Sequence, residues 1–296
     1  MQHVLVFGDA VHLRRGDDRP GPLPPAPRAA EDAGYTSISV ADSLIYPKES
    51  DTSYPYTETG DRGFLEDKAF IETFTLIAAM GAVTSRIRFT PFVLKLPVRP
   101  PVLVAKQAMS ITGLIGDRLG LGVGLSPWPE DFRVMGVPWE RRGKRMDEAI
   151  DIIRGLGTGE YFEFHGEFFD VPAIKINPAR PLPILVGGHS EPALRRAVVR
   201  GDGWMHAGGG DDLDALLTRI NAIREAEGKA ADPFEIHVIS MDAYTPDGVK
   251  RLEDKGVTDV IVGFRNPYVK GPDTEPLAKK IEHLERFAET VIGKAN

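Results

Sequence analysis

The chain has 296 residues, 42% hydrophobic and 27% charged, the balance of a globular protein long enough to bury a sizeable core. It contains no cysteine, which excludes disulfides, thiolate nucleophiles and Cys-ligated zinc or iron–sulfur sites. A net charge of -7 with a pI near 5.6 argues against a basic face for nucleic acid, and no apolar run approaches the roughly 20 residues of a membrane span. The opening "MQHVLVFGDAVHLRR" has no basic segment followed by a long apolar one, so the expectation is a cytoplasmic protein with neither nucleic acid nor membrane as a partner.

In chain order, short apolar runs suited to doubly covered parallel strands occur at Val4–Phe7, Ser37–Val40, Ile87–Leu94, Leu119–Val123, Ile184–Val186, Trp204–His206, Ile236–Ile239 and Val260–Val262. Between them lie segments of helical period. Phe70, Phe74, Ile77 and Ala78 form one stripe, Met146, Ala149, Ile150 and Ile153 the next, and Leu213, Leu216, Leu217 and Ile220 a third. A last stripe, Leu277, Ile281, Leu284, Ala288 and Val291, runs to the C-terminus. About eight strand–helix alternations in a chain of this length predict a (β/α)₈ TIM barrel forming one domain over 1–296. A doubly wound sheet ranks second, because no strand leads into G-x-G-x-x-G and "GLGVGLSP" has the wrong spacing. Two insertions exceed ordinary loop length. The polar, Tyr- and Pro-rich stretch 43–68 after strand two reads as a lid, and 159–181, with "YFEFHGEFFDV", reads as a structural hairpin before strand five.

Ligands of such a barrel meet residues at the C-terminal ends of its strands. That rule selects Asp9 and His12, then Asp42 and Ser43, Phe92 and Val93, Leu125 and Ser126, Gly187 to His189, and His206. In "PILVGGHSEPALRRA" an apolar strand passes through two glycines into a helix, with Ser190 at the N-cap and Pro192 in the first turn. Such a turn either seats an anion close to the backbone or needs only permissive dihedrals. Pro91, inside "IRFTPFVL", denies a central strand one ladder N–H and predicts a bulge there. His12, His189 and His206 could converge with Asp9 or Asp42 on a metal, but "VLVFG" and "VIVGFR" lack the ligands of a barrel metallohydrolase, so no metal is assigned. Glu130-Asp131 follow "SPWP" at a helix start, where acids suit the helix dipole. No serine nucleophile elbow or P-loop is present.

Four segments together resemble the luciferase-like monooxygenase family of flavin- and deazaflavin-dependent barrels: "TSRIRFTPFVLKLPVRPPVLVAKQ", "DRLGLGVGLSPWPEDFRVMGVPWERRGKRMDEAI", "FHGEFFDV" and "ILVGGHSEPALRRAVVRGDGW". They cover about half the chain in the family's order, while "SVADSLIYP" and "SYPYT" resemble its coenzyme F420 branch. The resemblance implies hydride transfer between F420 and a small organic substrate, in a homodimer; the alternatives are an FMN-dependent monooxygenase and a non-catalytic cofactor-binding barrel. It further implies that Gly187, Gly188 and His189 lie against the cofactor phosphate, that "GDGW" with Trp204 helps close the same pocket, and that Thr90–Val93 form a bulge holding a cis Phe92–Val93 bond beneath the ring. Asp42, Ser43, Leu125 and Ser126 complete the implied cofactor set. Departures are equally informative: Phe92 stands where the family commonly has Gly or Ser, Asp42-Ser43 where its sugar-phosphate dehydrogenases have Asp-His, and Pro127 where they have a catalytic glutamate. No catalytic residue is therefore transferred.

Overall fold

A computed structural model describes residues 1–7, 26–50, 52–54, 60–68, 70–208, 212–264, 266, 268–271 and 274–295. Strands and helices alternate as the apolar periods predict: β1 (Gln2–Phe7), α1 (Ala26–Asp32), β2 (Ser37–Val40), α2 (Thr73–Gly81), β3 (Arg88–Pro91), β4 (Leu94–Lys95), α3 (Pro101–Ile115) and β5 (Leu121–Gly124) come first. They are followed by α4 (Pro129–Val134), α5 (Arg142–Gly157), the hairpin β6 (Phe162–His165) and β7 (Asp170–Ile174), β8 (Ile184–Gly187), α6 (Glu191–Arg200) and β9 (Gly203–Met205). The chain ends with α7 (Leu213–Ala226), β10 (Glu235–Ile239), α8 (Pro246–Asp254), β11 (Asp259–Val262) and α9 (Leu277–Phe287).

The main sheet runs β3-β2-β1-β11-β10-β9-β8-β5-β4, and every pairing in it is parallel. Because β3 and β4 are two halves of a single pass of the chain, and Phe89 bridges Leu119, the sheet closes into an eight-pass barrel. Val4, Leu185, Met205 and Ile261 fill the barrel interior. The larger apolar layer lies between the strands and the helices, which is why β2, β5 and β11 are buried on both faces.

The third pass is interrupted where Pro91 predicts an irregularity. It breaks between Pro91 and Leu94, where the Phe92–Val93 peptide is cis. Gly122 on β5 makes room for this kink: a Cβ there would sit 2.0 Å from the Pro91 carbonyl oxygen and 2.7 Å from the Met205 sulfur. The hairpin β6–β7 precedes strand five of the barrel as predicted, its turn gripped by Glu148, whose carboxylate accepts the N–H groups of Glu167, Phe168 and Phe169 at 2.8–3.1 Å. No described helix is long and apolar enough to cross a membrane.

Candidate active site

At the C-terminal mouth of the barrel lies a cavity of about 670 Å³. Its floor is Met205, Ile261, Ile239, Phe92 and Val93, resting on the apolar plug of the barrel. Asp42, Ser43, Phe92 and Val93 line it from strands two and three, and Leu125, Ser126, Gly187 and Gly188 from strands four and five. Asp9 and His12 lie outside the described residues.

The glycine turn is shaped for close approach. Gly188 has φ +119°, and a Cβ on it would stand 3.0 Å from the Ala193 side chain, so the position demands glycine. Its carbonyl accepts the Trp204 indole N–H at 2.8 Å, and Trp204 is wholly buried. His189 accepts the Ala207 N–H at 3.2 Å and stacks on His206 with 4.7 Å between ring centroids. Trp204 and His189 thus hold the backbone of the turn and of the segment after β9 in place, beside a cavity that Gly187, Gly188 and Ala207 line. The rest of "GDGW" lies away from the mouth: the Asp202 carboxylate accepts the Ile184 N–H at the start of β8 and an Arg154 N–H. Ser190 holds the N-cap position with extended backbone but makes no side-chain capping bond, and it lines the cavity.

Facing the turn is Arg142, which opens α5 and lines the same cavity. Its guanidinium lies 3.6 Å from the Trp139 ring centroid, and its buried Nε has no hydrogen-bond partner among the described residues. Burial pushes its pKa downward, with no carboxylate contributing. Arg196 ties α6 to the first turn of α5 by donating to the Gly143 carbonyl at 3.1 Å and to Asp147. A cation without a counter-ion among the described residues, two glycines and the start of α6 thus line one space, an arrangement that suits a phosphate.

Elsewhere around the mouth, the charges are matched internally. Both Asp42 oxygens are taken: Arg99 donates to them at 2.8 and 2.9 Å, the Lys95 N–H at 2.9 Å and Thr73 at 3.2 Å. Asp42 is thus a brace between strands two and three, and the carboxylate has little left to offer a ligand. Lys95 pairs with Asp131 at 2.7 Å, and Ser126 donates to the same carboxylate at 2.6 Å while accepting the Trp128 N–H. Glu130 accepts from Arg62 at 3.1 Å, from Ser50 and from Thr52 at 3.5 Å, pinning the long loop after β2 onto α4. Burial alone would raise the Glu130 carboxyl, but the Ser50 and Arg62 contacts bring it below the ordinary glutamate range. Glu130 and Asp131 are therefore ion-pair partners for the mouth as well as acids in a first helical turn, as the helix-dipole reading had them. Arg142, Arg62 and Lys95 escaped sequence reasoning. The visible signal was a lysine within the apolar "VLKLPV".

Among the described residues, the histidine–carboxylate group compact enough to hold an ion is Glu235, His237 and Asp259. These lie at the start of β10 and β11, at the other end of the barrel, where Arg88 already pairs with Glu235 at 3.1 Å.

The matching of the chain to known proteins agrees with this architecture. The family model described as luciferase-like monooxygenase matches residues 4–255. An uncharacterized protein of Mycobacterium tuberculosis (strain ATCC 25618 / H37Rv) is 65% identical over 273 residues, 91% of this chain and 94% of the relative. Among solved structures, the monooxygenase RslO1 from Streptomyces bottropensis superposes with a TM-score of 0.73 at 14% identity, covering 100% of both chains. An F420-dependent secondary alcohol dehydrogenase in complex with an F420-acetone adduct superposes with a TM-score of 0.71 at 13% identity, again over 100% of both chains.

Proposed function

The chain belongs to the luciferase-like monooxygenase family, and we propose that within it the protein is an oxidoreductase transferring hydride between coenzyme F420 and a small organic substrate. The observation that carries this reading is the anion seat: Arg142, without a counter-ion among the described residues, lines one cavity with the Gly187-Gly188 turn, Phe92 and Val93. Phosphate is the group such a seat takes, and a flat ring is what the floor beneath it suits. A barrel of this shape holds F420 in the secondary alcohol dehydrogenase, so the fold itself sets no bar to the deazaflavin.

When bound, the deazaflavin supplies a carbon that gives or takes hydride and reacts poorly with oxygen. The residues of this chain supply binding and orientation. Arg142, Gly187, Gly188 and Ser190 would hold the phosphate, Trp204 and His189 would keep the turn in place, and Phe92 and Val93 would support the ring. The loop pinned by Glu130 would keep water from the mouth. FMN-dependent monooxygenation is the second reading, and a barrel that binds cofactor without turnover is the third.

Separate titrations of the purified protein with F420 and FMN, followed by fluorescence, test the choice. F420 is expected to bind at least tenfold more tightly, about 1.4 kcal/mol. Equal or reversed affinities favour the monooxygenase, and tight binding with no turnover across substrate panels favours the third reading. A homodimer is part of the proposal: α3 exposes Leu103 and Leu114 at 51% and 76%, apolar surface that an isologous contact would bury. Light scattering at micromolar concentration reads this directly.

A further inference from the structure

Part of the cavity wall is aromatic, and its rings are fixed relative to one another. Tyr54 stacks on Trp128 with centroids 5.2 Å apart and an interplanar angle of 16°. Phe64 meets Tyr54 at 5.4 Å and stands edge-on to Tyr268 at 5.1 Å. All four line the cavity. The Tyr54 and Tyr268 hydroxyls hydrogen-bond to each other, so part of their polar capacity is spent within the wall. Arg62 lies 4.1 Å from the Trp128 ring centroid and pairs behind it with Glu130.

The three ion pairs around this wall, Asp42–Arg99, Lys95–Asp131 and Arg62–Glu130, have side chains no more than 10% exposed. Lys68, which also reaches the cavity, is itself engaged. An anion placed here would lose its hydration and find these cations already matched. A cation would likewise lose its hydration, find the carboxylates of these pairs already matched, and find the Trp128 ring already engaged by Tyr54 and Arg62. A neutral ring loses little water and gains offset or edge-to-face contact with rings already oriented for it.

Resting on the functional reading above, we propose that the co-substrate is a neutral, planar aromatic or heteroaromatic compound of one or two rings, seated against Tyr54, Phe64, Trp128 and Tyr268. The cofactor phosphate and the substrate would thus take different parts of one cavity, and the wall selects for ring character and against charge.

Calorimetric titration of the full chain with four probes of similar size tests this: 2-naphthol, 2-naphthoate, naphthalen-2-ylmethylammonium and the saturated 2-decalol. 2-Naphthol is expected to bind at least tenfold more tightly than each of the others, and Tyr54→Leu to erase most of that preference. Phe64→Leu, which keeps apolar volume, gives a second variant if the first does not fold. A tighter charged probe, a decalol equal to naphthol, or a preference untouched in both folded variants overturns the proposal. F420 and FMN titrations on the same preparations separate the two levels. Cofactor binding without the naphthol preference sinks the substrate inference alone, whereas the naphthol preference without binding of either cofactor leaves the aromatic wall standing and sinks the functional reading.

Discussion

Replacing Glu130 by alanine should release the loop that follows β2 while leaving the barrel folded. Glu130 and Arg62 are both buried, 6% and 7% exposed, and one carboxylate oxygen receives Arg62, Ser50 and Thr52 together. Removing one partner of a buried ion pair costs about 3–5 kcal/mol, because the other charge is stranded. Here that cost is relieved locally, since Arg62 regains water once the loop detaches, so global stability should fall by less than the full amount. A loss of about 3 kcal/mol in loop docking lowers the closed-to-open ratio by about two orders of magnitude. The amides that report it are those of Leu65, Glu66 and Lys68, which donate to Arg62, Gly63 and Leu65 at 3.0, 3.3 and 3.2 Å. Hydrogen–deuterium exchange over 60–68 should accelerate by about that factor, while peptides from α7 keep their wild-type rates. Glu130→Gln, which retains an acceptor for Ser50 but no charge for Arg62, should fall between. Unchanged exchange over 60–68 in a folded Glu130→Ala protein would refute the idea that this carboxylate pins the loop.

Further outcomes follow from other residues. Arg142→Met keeps the apolar stem over Trp139 but removes the charge; with no ion pair to lose among the described residues, the urea midpoint should hold, while cofactor Kd rises about 10- to 100-fold. Unaltered affinity would remove Arg142 from the seat. Gly122→Ala drives a Cβ against the Pro91 carbonyl and should cost about 3 kcal/mol, whereas Gly263→Ala, with nothing within 4 Å of its Cβ, should stay within about 0.5 kcal/mol; urea unfolding compares them. Stability should also fall with acid in two stages. Burial holds His3 down to about 4 from 6.5, so its neutral form contributes above pH 6.5 and that contribution fades towards pH 4. Burial alone would raise Glu31 and Glu235, but backbone N–H groups of Arg86, Ile87 and Ser85 bring the first to about 2, and His237 with Arg88 the second. Their stabilisation is complete above about pH 4.5 and is lost as pH falls towards 2. Urea midpoints measured from pH 7 to pH 3 should therefore decline and then steepen, and His3→Phe should flatten the upper stage; an unchanged upper stage in that variant would remove His3 as its cause.

The barrel was legible in the sequence because its strands are continuous apolar runs and its helices carry one apolar stripe each, and both periods are set by local geometry. Pro91 announced the irregular third strand because the missing N–H is a property of one residue, and Gly187-Gly188 announced the close turn because only glycine takes φ +119° there without strain. The charged groups of the mouth were different. Whether Glu130 and Asp131 serve only the helix that carries them, or also pair with Arg62 and Lys95, depends on side chains 68 and 36 residues away that closure of the barrel alone brings to one rim. The same holds for Arg142: nothing in "WERRGKRMDEA" distinguishes it from its neighbours, and it reaches the cavity because α5 starts beside α6, with no ion-pair partner among the described residues. That Trp204 packs in the layer between strands and helices was equally hidden, since a strand's alternation decides which of two faces a side chain takes and a short apolar run does not reveal it. Local residue chemistry thus determined where the chain bends and which face is apolar, whereas long-range closure decided which charges meet, because a Coulomb pair requires proximity in space and sequence carries no record of it.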